Sequence, residues 1–406
     1  MNTNLEEFLE AYKGRYIVVA DAETKLIDKD KSVYATPPEF VMGVVYTETS
    51  ADGDPRVYDE YYSVWETKDK SFTIPLSHAF CTAMEYGINC IVVGHNVCFD
   101  MLVSGVEKLY TTNKDFIWDT AIAEYEMYAQ TFTYPSLQSL ADKYCPGEHK
   151  EGAVSEMIKA GVCPSTIPRK DLEAYCLQDV ILTHKIFHAQ MKTFLEYPKN
   201  LQNLILQRMQ YRMITHEMSC NGMMMDKEKM LGASRSLEVD ETILEGKLSI
   251  GMASHMPNAD EVNPNSNQQL MGVLYGKGTY KVTKMVDTGE LYKSGDKKGQ
   301  PKLRREVIHQ PYINPFFPVS PMDSVDEQSL NKILSCLISP ECKNFVETLL
   351  KYRTVSKERR TYFQGYYEVA RDGDPYISLH TEFKHTATPT GRISSSKPNI
   401  QNLKSD

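Results

Sequence analysis

No two of the nine cysteines stand in a CxxC spacing, so the chain encodes neither a zinc ribbon nor a redox pair. An odd number of scattered cysteines also builds no disulfide framework, and reduced, mostly buried thiols are expected. No apolar run approaches the roughly 20 residues that a membrane span needs. The acidic N-terminus, MNTNLEEFLEAYKGRY, lacks the apolar centre of a signal peptide. These absences predict a cytoplasmic protein with no membrane partner. Internal repeats and low-complexity tracts are missing too, which excludes solenoids and disordered tails.

A strongly basic balance is also absent, and the net charge of -9 conceals an asymmetry. Residues 1–200 hold 18 Lys+Arg against 30 Asp+Glu, whereas residues 201–406 hold 27 against 24. The acidic half does not by itself invite a polyanion, and the second half is left open to one. At 406 residues, two or three domains are expected.

The first 195 or so residues alternate strand-like and helix-like patterns. Tyr16–Ala20, Phe40–Tyr46, Val57–Trp65 and Cys90–Val93 are β-branched or aromatic runs, and helices are expected near 98–110, 120–129, 136–144 and 169–195. This is an α/β pattern with a meander feeding a mixed sheet. From Gln202 the pattern turns helical, over roughly 200–220, 226–250 and 341–370. An irregular Gly/Lys-rich stretch, Gly276–Gln300, interrupts it, and a short strand over Tyr376–Phe383 precedes the final loop.

Three short texts in the first domain carry chemistry. Asp21 and Glu23 close the first strand in VVADAETK; two residues apart on a strand, they leave from one face while Ala22 points away. Alone, an Asp-x-Glu is an ordinary solvated strand end. In GHNVCFD an apolar strand runs into Asn96 and then Asp100, where Asn96 alone reads as a helix cap. In AYCLQDV, Tyr175 and Asp179 share one helical face, flanked by Leu172, Cys176, Val180 and Ile181. The three in this order, inside one α/β domain, make a pattern that none makes singly.

That pattern resembles the DEDD superfamily of 3'-5' exonucleases, in the subclass whose third motif carries Tyr. The resemblance implies an RNase H-like (DnaQ-like) fold and convergence of Asp21, Glu23, Asp100 and Asp179 on two divalent ions, Mg²⁺ or Mn²⁺. Such a cluster of like charges repels itself without cations. The resemblance further implies that Asp21 bridges the ions, that Glu23 and Asp179 complete one site and Asp100 serves the other, and that Tyr175 orients the attacking water. It gives Asn96 a substrate or structural contact. IWDTAIAEY around Asp119 and SLQSLADKYC from Ser136 resemble the family's helical connections, while Ala22 departs from the Thr often found there.

The second half resembles another family. CNGMMMDKEKM from Cys220, VNPNSNQQLMGVLY from Val262, LLKYRTVSKERRTYFQGYYEV and DGDPYISLHTEFKHTATPTGRISSSKPNIQNL are similar in succession to the thumb and first palm motif of family A DNA polymerases. Independently of any family, Lys351, Arg353, Lys357, Arg359 and Arg360 place five cations in ten residues, suited to phosphate contacts, or else to a solvated helix face. Thr390, Gly391, Arg392, Asn399, Gln401 and Asn402 offer a turn with fork and amide donors for minor-groove acceptors. Lys281, Lys284, Lys293, Lys297, Lys298, Lys302, Arg304 and Arg305 form a looser basic stretch that suits DNA, a partner or a solvated insertion equally.

The combined expectation is an α/β exonuclease domain over 1–197, a mainly α-helical thumb over 198–370 with a basic insertion at about 276–325, and the beginning of a polymerase palm over 371–406. The expected activity is 3'-5' proofreading on a DNA primer-template and its single-stranded 3' end. The resemblance implies that palm and fingers lie on a second chain of a split or truncated, phage-type polymerase, in a bacterial host cytoplasm. A self-sufficient exonuclease on DNA or RNA ends and a non-catalytic DNA-binding scaffold remain alternatives.

Overall fold

The computed structural model describes residues 4–14, 17–50, 58–66, 90–103, 116–131, 133–148, 152–293, 299–317, 322, 324–336 and 338–402. Val57, Lys297, Lys298 and the last turns of the helix expected to reach 110 lie outside them. Among the described residues no helix is long and apolar enough to cross a membrane, and the eight of the nine cysteines that lie among them form no disulfide with one another.

The chain divides into two compact units, Met1–Asp226 with Val369–Asp406, and Lys227–Glu368. In the first, α1 (Leu5–Lys13) precedes the strands β1 (Ile17–Thr24), β2 (Phe40–Ser50) and β3 (Tyr58–Glu66). Then come β4 (Ile91–Gly94), α2 (Val97–Val103), β5 (Phe116–Asp119), α3 (Thr120–Met127), α4 (Leu137–Tyr144), α5 (Gly152–Lys159), α6 (Arg169–Glu196), α7 (Lys199–Asn221) and β6 (Met223–Asp226). The sheet order is β3-β2-β1-β4-β5, antiparallel across β3, β2 and β1 and parallel across β1, β4 and β5.

The alternation of β1 sends its side chains into two different cores. Ile17 and Val19 pack with Val44, Tyr46, Phe116, Trp118 and the α6 residues Cys176, Val180 and Phe187. Val18 and Ala20 face Val92, Cys98, Met101 and Met213 on the other side. Because β1 is covered on both faces it reads as a continuous apolar run until polar residues begin at Asp21.

The second unit contains α8 (Lys227–Ala253), α9 (Asn267–Tyr275), β7 (Thr279–Leu291), β8 (Pro301–Pro311), α10 (Glu327–Leu334) and α11 (Pro340–Lys357), which continues as a π-helical stretch, Glu358–Gln364, into α12 (Gly365–Val369). Its core joins Leu248, Met252, Leu270, Leu274, Phe345, Leu349 and Tyr352. The stretch expected to be irregular, Gly276–Gln300, is largely β7, paired antiparallel with β8 from Thr279↔Pro311 to Leu291↔Pro301.

Beyond it, β9 (Tyr376–Leu379), β10 (Glu382–Lys384) and β11 (Ser394–Ser396) return to the first unit. The single strand expected over Tyr376–Phe383 is thus two: β9 pairs with β6, and β10 pairs with β11. The observed division lies later than the boundary expected at 197, between Asp226 and Lys227, and falls next to the one expected at 370, between Glu368 and Val369. Helix α7 sends Ile205, Leu206 and Met209 into the core beneath the sheet, and so belongs to the first unit. Helical periodicity marked that element without revealing which core receives its apolar face.

Candidate active site

Asp21 and Glu23 lie at the carboxyl end of β1, opposite Val44 and Met42 of β2. Their parity is that of Ile17 and Val19, so they face α6. From α6 comes Asp179, almost fully buried, one turn beyond the buried Tyr175. Ligand oxygens of Asp21, Glu23 and Asp179 all lie within 4.8 Å of one another.

Asp100 arrives from the other face, on the first turn of α2. Its Oδ1 accepts a hydrogen bond of 3.0 Å from the Ala22 backbone N–H, between the two strand-end carboxylates. Burial, and then the negative charge of Asp21, push the Asp100 carboxyl well above the usual carboxylate range, against the pull of the Ala22 N–H. Three separate elements thus deliver four carboxylates to one strand end. Acids crowded in this way, Asp100 and Asp179 buried and Asp21 and Glu23 partly so, form an oxygen-only donor set suited to hard divalent cations, whose charge relieves the repulsion.

Cys176 was visible in the sequence only as an apolar neighbour. Its thiol lies 3.4 Å from Asp21 Oδ2 and 3.6 Å from the Asp21 carbonyl oxygen. Burial first, and then Asp21 and Glu23, raise its pKa well above the thiol norm, so it is a neutral donor to Asp21.

Asn96 does not cap α2 with its side chain. It adopts a left-handed backbone at φ 64°, and its Oδ1 accepts from Arg212 Nη2 at 3.1 Å. Asp119 instead caps α3, accepting from Ala121 N and Ile122 N at 3.0 and 3.3 Å, and also takes the Asn96 N–H. Asn96, His95, Phe99, Tyr134 and the β10 segment Glu382–Lys384 line a shared cleft. Arg212, buried on α7, carries no signal in the linear sequence that would tie it to this cleft.

The expected DNA-contacting residues divide. Arg353 is half-buried and donates to the Val325 carbonyl and, at 3.1 Å, to Asn267 Oδ1, so it is not a free phosphate contact. Burial drives this use: a guanidinium drawn under the surface needs acceptors of its own. Arg359 and Arg360 both pair with the buried Glu241, Arg360 through Nη2 at 2.9 Å, while the Arg360 side chain stays 54% exposed. Lys357 is exposed.

In the β10–β11 loop, Thr390 and Arg392 are exposed, and Gly391 takes φ 70° where a Cβ would stand 2.7 Å from Gln130 Nε2. Asn399 Oδ1 accepts from Gln401 N at 3.0 Å and from Ser395 Oγ at 3.1 Å, and Gln401 Nε2 donates to the Ile393 carbonyl at 3.1 Å. These two amides are partly spent on the shape of their own turn; Asn402 is exposed beside them.

Residues 320–406 match the family described as DNA polymerase family A. Over 98% of its length the chain is 24% identical to the DNA polymerase I of Borreliella burgdorferi, of which it covers 36%. It is 22% identical over 71% of its length to the DNA polymerase I of Synechocystis sp., covering 24% of that protein. A shorter stretch of 59 residues is 48% identical to the thermostable DNA polymerase I of Thermus filiformis, 14% of this chain and 7% of that one. The chain therefore spans about a third or less of these relatives. In fold it is similar to the POL domain of Pol1 from M. smegmatis, solved in complex with a DNA primer-template and dNTP. The TM-score is 0.55 at 18% identity, covering 100% of this chain and 55% of that one.

Proposed function

We propose that the first unit is a 3'-5' exonuclease that removes terminal nucleotides from DNA, within a family A polymerase. The observation that carries this reading is the meeting of Asp21, Glu23 and Asp179 oxygens within 4.8 Å, with Asp100 anchored between the first two. The mixed sheet order, antiparallel before β1 and parallel after it, suits an RNase H-like scaffold. The site stands at the carboxyl ends of β1 and β4, where open α/β sheets place their ligands.

In this reading Asp21, Glu23 and Asp179, joined by Asp100, hold two divalent ions, Mg²⁺ or Mn²⁺. Bound there, the ions would supply charge to stabilise the attacking and leaving oxygens of an in-line displacement. The protein's own share is positional. Tyr175, one turn from Asp179, directs its phenol at the attacking water and holds it in line. Cys176 restrains Asp21 without adding charge. Asn96, fixed by Arg212, contacts the substrate strand beside the cleft. Lys357, Arg360, Arg392 and Asn402, with the turn of Thr390, Gly391, Asn399 and Gln401, lie against DNA. Nothing in the structure or the comparisons speaks for the second chain that the sequence suggests.

A primer-template whose primer is labelled at its 5' end, incubated with Mg²⁺ and no nucleotides, tests the reading. Stepwise shortening is expected, reduced at least ~100-fold in Asp21→Ala and Asp179→Asn, since even outer-sphere partners of bound metals are worth 10–100-fold. A fall of about 100-fold is expected in Tyr175→Phe, where only the positioning of water is lost. DNA binding without shortening in the wild type would assign the chain to a scaffold instead.

A further inference from the structure

Helix α6 carries a second cluster of donors, two turns beyond Asp179 and of different chemistry. His184 and His188, at i and i+4, face β2, whose alternation brings Glu48 to the side that already holds Val44 and Tyr46. His184 Nε2 lies 2.7 Å from Glu48 Oε2, His188 Nε2 lies 3.0 Å from the same oxygen, and the two Nε2 atoms are 3.0 Å apart. Glu48 is almost fully buried, while the histidines are about a fifth to a quarter exposed.

Hydrogen bonding alone leaves this triangle frustrated. Each contact needs one donor and one acceptor, and three mutually touching atoms cannot be divided so that every pair differs. With both imidazoles protonated at Nε2, two donors face each other. With one protonated, the other's lone pair meets the carboxylate oxygen. A cation at the centre turns all three atoms into ligands at once and removes the conflict.

We propose that Glu48, His184 and His188 form a binding site for a divalent transition-metal ion of the Zn²⁺ class. Two imidazole nitrogens and one carboxylate suit zinc, with bonds near 2.0–2.2 Å and a fourth position for water. Tetrahedral ligands at that distance stand roughly 3.3 Å apart, so the donors need to open by only a few tenths of an ångström. The Tyr12 hydroxyl lies 3.4 Å from His188 Nδ1, the outer-sphere partner that holds a ligating imidazole in one tautomer. The ring of Tyr46 packs edge-on against His184 at 4.6 Å. A cleft lined by Tyr144, Cys145, Glu148, His184, His188 and Lys192 opens onto the histidines and gives an ion a way in. Nitrogen donors separate this site from the all-oxygen cluster at Asp21, and the two sort metals by softness. Its occupation staples α6 to β2 at about 8–14 Å along the helix from Asp179.

The test is calorimetric titration of Zn²⁺ into the full chain, freed of any affinity tag, with Mg²⁺ in large excess to occupy the carboxylates. One Zn²⁺ per chain is expected. Affinity should be retained in Asp21→Ala and weakened at least ~100-fold in His188→Ala and Glu48→Gln. The proposal is overturned by no uptake, or by uptake lost in Asp21→Ala and kept in His188→Ala. Should His188→Ala fail to fold, the visible spectrum of Co²⁺ bound to the wild-type chain under the same Mg²⁺ excess decides. Imidazole-ligated, four-coordinate bands support the site, and an oxygen-only spectrum overturns it.

Discussion

Arg353 and Lys357 stand one turn apart on α11, yet their surroundings give them opposite work. Arg353 is bound to Val325 O and Asn267 Oδ1, and Lys357 is exposed. Arg353→Ala should therefore cost about 1 kcal/mol of stability or somewhat more, from leaving the part-buried Val325 carbonyl without its donor. It should leave the salt dependence of DNA binding unchanged. Lys357→Ala should do the reverse, leaving stability within about 0.5 kcal/mol and lowering the salt slope by about one. Chemical unfolding and DNA titrations across a salt series distinguish the two, and a flattened salt slope in Arg353→Ala would contradict the assignment. Legibility at this scale follows reach along the chain. Asp21 with Glu23 and Tyr175 with Asp179 were readable, because strand and helix periods put each pair on one face. The Asp100 bond to Ala22 crosses 78 residues and the Cys176 contact with Asp21 crosses 155. Neither follows without knowing which strand neighbours which. The same limit hid the meeting of Glu48 with His184 and His188.

At the scale of elements, the ribbon of β7 and β8 shows when a strand leaves no trace in sequence. Only Tyr280 and Val282 of β7 are buried, and the strand beyond them is exposed. Without a core on one side there is no selection for alternation, so the stretch read as irregular. The long helices α6, α7, α8 and α11 were readable because each turns an apolar stripe to a core, whereas the short α1, α5 and α10 were not expected. What their periodicity did not disclose is the closeness of approach, as at Gly272 in α9. A Cβ at Gly272 would lie 2.1 Å from the ring of Tyr312, itself buried beneath the ribbon against Tyr280. Gly272→Ala should destabilise the chain by about 1–3 kcal/mol through overpacking, although alanine is the better helix former by about 1 kcal/mol. With Tyr312→Ala already present, the clash is gone and the same substitution should become neutral or stabilising. A double-mutant cycle by urea unfolding measures this, and equal costs in both backgrounds would show that Tyr312 is not the obstacle.

On the scale of the whole molecule, the chain leaves the first unit after Asp226 and rejoins it at Val369. The junction is sealed by β6 against β9, from Met223↔Leu379 to Asp226↔Tyr376. Arg371 donates to Tyr34 O at 2.7 Å and to Ala35 O at 3.3 Å, and Tyr134 N donates to Thr386 O at 3.1 Å. Replacing 227–368 by a flexible linker of about ten residues should consequently leave a cooperatively folding first unit that still shortens 3' ends. Truncation before 369 should destabilise it. Loss of a cooperative transition in the excised chain would show that the first unit depends on the second. The returning segment also sets how stability responds to acid. Its His385 meets Thr215 Oγ1 at 2.7 Å, and on the same helix as Thr215, α7, His216 meets the Tyr34 hydroxyl at 3.1 Å. Burial, and then the charge of Arg212, lower both imidazoles from 6.5 to about 3; Arg208 adds to the effect at His385. Between those values the unfolded chain binds protons that the folded chain refuses, so stability is full above about pH 6.5 and falls as pH drops below it. Each histidine contributes up to about 1.4 kcal/mol per pH unit. Taking His385 away as His385→Gln should therefore shrink the stability lost between pH 6.5 and 5 by roughly 2 kcal/mol. Urea unfolding of both proteins at the two pH values gives the comparison, and an identical loss would mean that His385 is protonated in the folded chain and that its burial against α7 does not exclude charge.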